Sequence, residues 1–404
     1  MQKSSVTKTI NLSLVSYTHN DNALLSASLE QIASWSLKPK EIILVDDASA
    51  TPFVPPTIAG LPPVTLLRTP KNLGYCGAKA LGLNHAKGRF ILSLDADIRL
   101  CPNWLEICLQ RINNSETGPQ AHSIKGPSIG PNIGPNIGPA IDPAIGPSIG
   151  PSIGMISGPI IPKCGNHLFA RYMELTYSLN LGIKGPVKFI PGASWLMPRK
   201  VWEDVGGYEG YAHSAGEDDF LCKNLLKKGY TLWVEDEALA YEVRPMRRLD
   251  MVRRAWKWHG IAIKRAILEG RSIVEAINVL LYSVKLRTEK SAKADPRFLY
   301  YDLLYLTYGL NDLLLGIPQA ANLWASFQTW LTPYPMLASG LVKDLMDLGY
   351  PDAEKNLMPN HKIKINNAKN YAGLDIAKAL AFAFDETILN TLNNSMNEIT
   401  VDIS

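Results

Sequence analysis

Two carboxylates, one residue apart, directly follow the apolar run Phe90–Leu94 and could take part in chemistry. They are Asp95 and Asp97. The run is typical of a buried strand, and because strand side chains alternate between faces, both carboxylates are expected to point the same way. Such like charges are costly unless a cation lies between them, and a divalent cation bound to a diphosphate would serve. The alternative is a solvated turn, since Asp-x-Asp is a common pattern.

More acidic groups follow other predicted elements. Asp46 and Asp47 end a second apolar run, and either one could contact a ligand or cap the following turn. Gly216-Glu-Asp-Asp219 precedes a helix predicted over 220–228. Acids at that place can favour the helix dipole, or one of them can take a proton in a reaction.

A glycine-containing segment before a predicted helix is a third candidate. It contains Asn72, Gly74 and Gly77. Glycine lets the backbone approach a ligand closely, and a helix N-terminus favours anions. Lys79 lies in the first turn of that helix, where it could reach a phosphate or remain a solvated surface lysine.

The elements that must position these residues alternate between strand and helix. We predict strands over 10–17, 41–45, 64–68, 90–94 and 155–161, with helices over 22–35 and 77–86. This alternation predicts a mainly parallel, Rossmann-like α/β sheet with helices on both faces. Ligands of such sheets bind beyond the carboxyl ends of the strands, and the residues at that edge are Thr18, Asp46, Asp47, Asp95 and Asp97.

Composition narrows the class of protein. The chain has 404 residues, enough for one large and one smaller domain, and its net charge of +4 gives no argument for nucleic acid. The five cysteines show no paired metal spacing, which fits a reduced compartment. We find neither a signal-peptide core nor an apolar run of roughly 18–20 residues, and therefore expect a cytoplasmic protein.

A repeat and a change of pattern divide the chain. Residues 126–153 repeat a Gly-Pro-x-Ile unit seven times, once with Asp142 in place of the glycine. The period of four excludes collagen and the prolines forbid regular helix, so we predict an extended, non-catalytic loop over about 118–154; an acceptor-binding flap is the alternative. Helical patterns dominate after residue 245. We therefore predict a catalytic domain over 1–245 and a helical region over 246–404.

Taken in order, six blocks of residues resemble family 2 glycosyltransferases of the GT-A fold. The resemblance covers about residues 9–245, and each block is weak by itself. The blocks are Leu14-Val-Ser-Tyr-Thr-His-Asn20, Ile43-Leu-Val-Asp-Asp-Ala-Ser49, Asn72-Leu-Gly-Tyr-Cys-Gly-Ala78, Leu94-Asp-Ala-Asp97, Gly216-Glu-Asp-Asp219, and Ile190-Pro-Gly-Ala-Ser-Trp-Leu-Met197 with Val205-Gly-Gly-Tyr208.

The resemblance implies a role for each matched residue. A UDP- or GDP-type sugar donor would contact Ser16, Thr18, Asp46, Asp47, Asn72, Gly74, Lys79 and Asp95, with Asp47 favoured for the base. Asp97 would hold Mn²⁺ or Mg²⁺ on the diphosphate. Asp218 would be the general base, in one cluster with Glu217 and Asp219. The acceptor side would be formed by Gly192, Ala193, Ser194 and Trp195.

The chain departs from the family in one place. Where many members carry a metal-ligating His, this chain has Glu242, which could bind the cation through oxygen or could be structural. His259 is a more distant candidate, and a lone His beside Trp256 and Trp258 more often serves packing or hydrogen bonding.

A basic segment follows. Residues 244–265 hold eight Lys or Arg and a single acid, Asp250. We favour an amphipathic helix with its basic face in water. Two alternatives are that Arg247 or Arg248 closes over the diphosphate, and that the basic face makes peripheral contact with anionic lipid at the inner membrane surface.

These expectations combine into a hexosyltransferase-type enzyme that is metal-dependent and inverting. Its acceptor hydroxyl would belong to a glycan, a lipid or a polypeptide. A sugar-phosphate nucleotidyltransferase is disfavoured because residues 16–21 lack the basic, glycine-rich loop of that class. A non-catalytic sugar-nucleotide-binding or protein-interaction domain is disfavoured by the two carboxylate clusters and favoured by the missing His.

Overall fold

A computed structural model describes residues 8–116, 152–211, 216–268, 273–316, 329–349, 384 and 386–401. The predicted repeat loop lies outside these residues except for its last few positions. The chain forms two compact units. Among the described residues, the first unit contains 8–116, 152–163 and 178–244, and the second contains 164–177 and the residues from 245 onward. The catalytic role of the first unit stays a prediction.

The first unit is built on two sheets. The larger has the strand order β3-β2-β1-β4-β9-β6-β10-β8, and the smaller has the order β5-β11-β7. Pairing is parallel from β3 through β4, whereas β9 runs antiparallel to both of its neighbours. The strands are β1 (Lys8–Thr18), β2 (Leu37–Asp46), β3 (Val64–Arg68), β4 (Phe90–Leu94), β5 (Ile98–Leu100), β6 (Ile153–Ser157), β7 (Ile160–Pro162), β8 (Gly185–Val187), β9 (Ser194–Pro198), β10 (Thr231–Val234) and β11 (Ala240–Glu242).

The helices divide between the two units. The fourth, and all from the seventh onward, lie in the second unit. They are α1 (Asn22–Ser34), α2 (Gly74–His85), α3 (Trp104–Glu116), α4 (Leu168–Tyr177), α5 (Arg199–Asp204), α6 (Glu217–Lys227), α7 (Arg248–Leu268), α8 (Ile273–Ala294), α9 (Leu299–Gly316), α10 (Pro335–Asp347) and α11 (Glu386–Val401).

Each face of the large sheet carries its own apolar core. Leu12 and Leu14 of β1 belong to one core, with residues of α1 and α3. Val15 belongs to the other, with residues of α2 and α6. Gly82 allows α2 to lie close to the sheet, because a Cβ at that position would come within 2.5 Å of Val15 Cγ1. Alternation of apolar side chains along β1 thus produces the two-sided packing, and the predicted α/β class with helices on both faces is confirmed.

The strand predicted over 155–161 is two strands in the structure. Gly158 and Pro159 separate β6, in the large sheet, from β7, in the small sheet. Proline cannot donate to a ladder. Gly158 also lies against Ala238, whose carbonyl oxygen would be 1.6 Å from a Cβ at this position.

The second unit is helical and has a separate core. The basic segment forms most of α7, and the apolar face expected of an amphipathic helix is buried there through Val252, Trp256 and Ile263. In the part of the chain that the structure describes, no helix has the length and apolar character to cross a membrane.

Candidate active site

The end of β4 and the start of β9 meet at one edge of the large sheet. The two strands are antiparallel neighbours, with Leu94 paired to Ser194. The backbone N–H of Asp95 donates to the Ala193 carbonyl at 2.8 Å. The predicted donor-side and acceptor-side segments are therefore in direct contact.

Lys79 joins this edge to the N-terminus of α6. Its Nζ lies 3.0 Å from Asp95 Oδ1 and 3.5 Å from Glu217 Oε1. It also donates to the Gly192 carbonyl at 2.9 Å, and the side chain is only 3% exposed. This geometry matches neither sequence alternative for Lys79, because the ammonium is neither in solvent nor directed to an open phosphate site. It connects the two carboxylate clusters instead.

The electrostatics of the cluster follow from burial and proximity. Burial raises the pKa of Asp95 to about 7; Asp97 adds to the rise and Lys79 opposes it. Burial lowers the pKa of Lys79, but Asp95, Tyr17 and Glu217 outweigh it, so the Lys79 pKa stands well above its ordinary value. Lys79 is therefore charged, and its charge holds Asp95 closer to its ionised form.

The three acids at the start of α6 have different environments. Glu217 is buried against Lys79, and Asp219 is exposed, 2.7 Å from Lys223. Asp218 is half-buried and accepts hydrogen bonds from the backbone N–H groups of Gly192 and Asp219. Burial, followed by the charge of Glu217, raises the pKa of Asp218 to about 6. Glu217 and Asp219 each pair with a lysine, which favours Asp218 among the three predicted catalytic acids, and its role as the base stays a prediction.

The predicted acceptor segment contributes mainly through its backbone. The Gly192 carbonyl accepts a hydrogen bond from Lys79, and the Gly192 N–H donates to Asp218. Ser194 and Trp195 are fully buried, with Trp195 stacked on Trp202 in the core, and Ala193 presents its carbonyl to Asp95. The Ser194 and Trp195 side chains therefore cannot line an open acceptor surface.

Asp97 has a basic partner of its own. Its Oδ2 accepts from Arg244 Nε at 2.7 Å, and the two Nη atoms of Arg244 bind Asp21 at 2.9 and 2.8 Å. Burial lowers the pKa of Arg244, but the bonds to these carboxylates outweigh it and raise that pKa. One alternative from the sequence is that Arg247 or Arg248 closes over the diphosphate. In the structure Arg247 binds Asp250 of its own helix, and Arg248 forms two bonds to Asp344 in the second unit.

Whether these residues suit a metal ion depends on what else supplies ligands. Among the described residues, no three His, Cys, Asp or Glu side chains are grouped to hold a metal. Asp95, Asp97 and Glu242 therefore do not form a protein cage, and Glu242 instead occupies a strand that pairs with β5. Mg²⁺ and Mn²⁺ on a diphosphate need only one or two carboxylates, because phosphate oxygens and waters complete the shell. Asp97 and Asp95 fit that kind of site.

The predicted nucleoside contacts at the end of β2 divide into two kinds. Asp46 is fully buried and accepts from the backbone N–H groups of Ser49 and Phe53 and from Arg68. Burial raises the pKa of Asp46, yet these hydrogen bonds keep it below its ordinary value. Asp46 is therefore the turn residue of the pair.

Asp47 is placed differently from Asp46. Within the described residues both hydrogen bonds to its carboxylate, from Thr69 Oγ1 and from the Leu73 N–H, go to Oδ1. Its Oδ2 is the atom that we assign to a ligand under the function proposed below.

The other residues predicted to contact the donor differ in how exposed they are. The Ser16 hydroxyl is buried without a hydrogen-bond partner in the described structure, and Thr18 accepts from the Asp21 N–H. Asn72 is exposed and accepts from the N–H of Gly74, whose φ of 74° favours glycine.

Sequence reasoning missed Tyr17 and Arg244. The Tyr17 ring lies 5.6 Å from Lys79 Nζ, on the opposite face of β1 from Ser16. The period-two alternation that we applied to Asp95 and Asp97 would have placed Tyr17, like Val15, on the face of β1 that packs against α2. No local pattern singles out Arg244 among the eight basic residues of its segment.

Two family descriptions match the chain, and they follow each other without overlap. "Glycosyl transferase family 2" matches residues 13–147, and "Glycosyl transferase family group 2" matches residues 148–342. Together they include every residue of the site.

Curated relatives match parts of the chain. The pre-mycofactocin glycosyltransferase of Mycobacterium tuberculosis is 26% identical over 230 residues, which are 55% of this chain and 41% of that protein. The polypeptide N-acetylgalactosaminyltransferase 15 of Mus musculus is 40% identical over 77 residues, which are 18% of this chain and 12% of that protein. The chain thus spans less than half the length of these relatives.

Solved structures resemble the chain more distantly. A mannosyltransferase of Pyrobaculum calidifontis, in complex with GDP-Man and Mn²⁺, has a TM-score of 0.37 at 17% identity, covering 87% of this chain and 88% of that one. TarS of S. aureus with UDP-GlcNAc has a TM-score of 0.41 at 12% identity, covering 89% and 95%. At these scores the similarities add nothing to the family match.

Proposed function

The chain belongs to glycosyltransferase family 2, and we propose that it transfers a sugar from a nucleotide donor to an acceptor hydroxyl, with inversion and with a divalent cation. One observation carries the proposal. Lys79 holds Asp95 and the N-terminus of α6 together at the carboxyl edge of the sheet, so donor-side and base-side carboxylates share one site.

Each residue has a task that its environment suits. Asp218 takes the proton of the acceptor hydroxyl as that oxygen attacks the anomeric carbon. A raised pKa of about 6 makes it a better base while leaving it mostly ionised at pH 7. Asp47 accepts from the nucleobase, and Lys79 positions Asp95 and the Gly192 carbonyl without touching the substrate.

The cation is assigned to Asp97, with Asp95 beside it. When bound, Mn²⁺ or Mg²⁺ would neutralise charge that develops on the departing nucleoside diphosphate. The carboxylate of Asp97 supplies the hard oxygen ligands that both ions prefer.

Incubation of the purified protein with Mn²⁺ and a panel of UDP- and GDP-sugars tests the proposal. We expect donor hydrolysis or transfer with at least one of them. Nucleotide binding without hydrolysis or transfer from any donor would favour the non-catalytic sugar-nucleotide-binding alternative.

Asp97→Asn is expected to weaken the Mn²⁺-dependent part of nucleoside diphosphate binding by at least about 100-fold. Loss of residues that only support metal ligands already costs about 10- to 100-fold, and a ligand should cost no less. Calorimetry with and without Mn²⁺ measures the effect. Asp250→Asn, at an exposed carboxylate paired to Arg247, is the control, and an unchanged Mn²⁺ dependence in Asp97→Asn would remove the assignment.

Gly192→Ala is expected to lower kcat by up to about 100-fold, because displacement of reacting groups by about 1 Å can cost that much. A Cβ at Gly192 would lie 3.1 Å from Glu217 Oε1, 3.2 Å from Lys79 Nζ and 3.5 Å from Asp218 Cβ. Steady-state kinetics measures the change. Ser194→Ala removes a buried hydroxyl that has no hydrogen-bond partner in the described structure, and should alter kcat little. Equal kcat in the two variants would contradict the packing argument.

A further inference from the structure

Arg244 is bound to Asp97, the carboxylate to which the proposed function assigns the cation. Its Nε binds Asp97 Oδ2, and its two Nη atoms bind both oxygens of Asp21. One positive side chain thus lies between two negative ones. In this arrangement Asp97 is neutralised by the protein itself.

The backbone keeps Arg244 at this place whatever its side chain does. The N–H of Val243 donates to the Asp97 carbonyl at 2.8 Å, and the preceding strand β11 is paired to β5, with Glu242 opposite Ile98. A guanidinium that leaves Asp97 therefore stays within a side chain's length of it.

The ion pair between Arg244 and Asp21 is partly exposed to solvent, so Arg244 can change its partner. The side chains of Arg244 and Asp21 are 32% and 35% exposed, whereas that of Asp97 is 7% exposed. Exposed ion pairs contribute modestly at most, and the bidentate geometry of this pair puts it towards the upper end of their range. Asp21 is the N-cap residue of α1, yet its side chain makes no capping bond and serves Arg244 instead. The pair therefore leaves α1 without a side-chain cap at Asp21.

We propose that Arg244 is a counter-ion of Asp97 that changes partner when donor binds: the cation replaces the guanidinium on Asp97, and the guanidinium then binds the donor's diphosphate. This inference rests on the proposed function. It assigns to Arg244 the diphosphate contact that the sequence indicated for Arg247 or Arg248.

The exchange follows from charge and shape. A divalent cation on Asp97 repels a guanidinium bound to the same oxygen. The diphosphate that arrives with the cation offers the planar pairs of oxygens that an arginine fork binds with two parallel hydrogen bonds. The same side chain would thus suppress binding of free metal and favour binding of the metal–nucleotide pair.

Calorimetry on the full chain tests the inference through two titrations with opposite expected signs. The first uses Mn²⁺ alone, and here Arg244→Gln should bind about fivefold more tightly than wild type, because a competing cation is gone. The second uses UDP and GDP at saturating Mn²⁺. In this titration Arg244→Gln should bind at least about tenfold more weakly, the loss expected for a charge-assisted hydrogen bond.

Further variants keep the test decisive. Arg244→Lys retains the charge without the fork, so it should keep near-wild-type Mn²⁺ affinity and still lose nucleotide affinity. Arg247→Gln, at an exposed residue bound to Asp250, should change neither titration. A fall in both affinities, or no change in either, for Arg244→Gln would overturn the inference. A wild type that binds Mn²⁺ and nucleotide but transfers no sugar would instead defeat the proposed function, and the signs of the two titrations would still decide the role of Arg244.

Discussion

Asp218→Asn is expected to lower kcat by about two to four orders of magnitude and to leave the Kd for nucleoside diphosphate nearly unchanged. Asparagine keeps the size of the side chain, and its amide oxygen can still accept from the Gly192 N–H. It cannot take a proton. Steady-state kinetics with the best donor and calorimetry with the nucleotide separate the two effects.

The neighbouring acid supplies a matched control for this prediction. Asp219→Asn removes the same charge one residue away, at an exposed side chain bound to Lys223, and should change kcat little. Equal losses in the two variants would indicate a general effect of charge at the start of α6. An unchanged kcat in Asp218→Asn would exclude it as the base.

The pH dependence of kcat gives an independent check on the same residue. The base must be deprotonated to act, and burial together with Glu217 raises the pKa of Asp218 to about 6. The wild-type kcat at saturating donor should therefore fall as the pH is lowered through about 6. The residual rate of Asp218→Asn should lack this step.

Lys79→Met is expected to have the largest effect on stability. It removes a cation that is buried against both Asp95 and Glu217 and leaves both carboxylates without it. Breaking a buried pair in this way costs about 3–5 kcal/mol of unfolding free energy. Chemical denaturation followed by circular dichroism measures the change.

Two further variants separate burial from charge. Lys223→Met removes a cation from an exposed i,i+4 pair on α6, which contributes only about 0.5 kcal/mol. Lys79→Met combined with Glu217→Gln removes one of the two stranded charges and should recover part of the lost stability. Similar losses for Lys79→Met and Lys223→Met would contradict the placement of Lys79 between the clusters.

The sequence predicted the elements of the first hundred residues closely. The predicted strand over 64–68 is β3, and that over 90–94 is β4, with the same bounds. The apolar run of β4 identifies it because all five of its residues are buried. β3 lies at the edge of the sheet and is largely exposed, so its bounds follow from its β-propensity and its flanking prolines instead. Short strands such as β8, with three residues, carry too little pattern to be recognised.

For the candidate site, the sequence predicts only the edge of the sheet at which the carboxylates lie. Ends of parallel strands must lie together, so the carboxylates could be placed on one side of the sheet before any contact was seen. Their partners could not, because Lys79 and Gly192 are 113 residues apart, and Asp97 and Arg244 are 147 apart. Contacts over such distances depend on how helices and strands pack, which no local spacing encodes.

The most direct measurement is anomalous diffraction from crystals grown with Mn²⁺ and a nucleoside diphosphate. We predict an Mn²⁺ peak within about 2.5 Å of an Asp97 carboxylate oxygen, with the base near Asp47 and the diphosphate beside Arg244. A metal and nucleotide bound away from Asp95 and Asp97 would contradict the account.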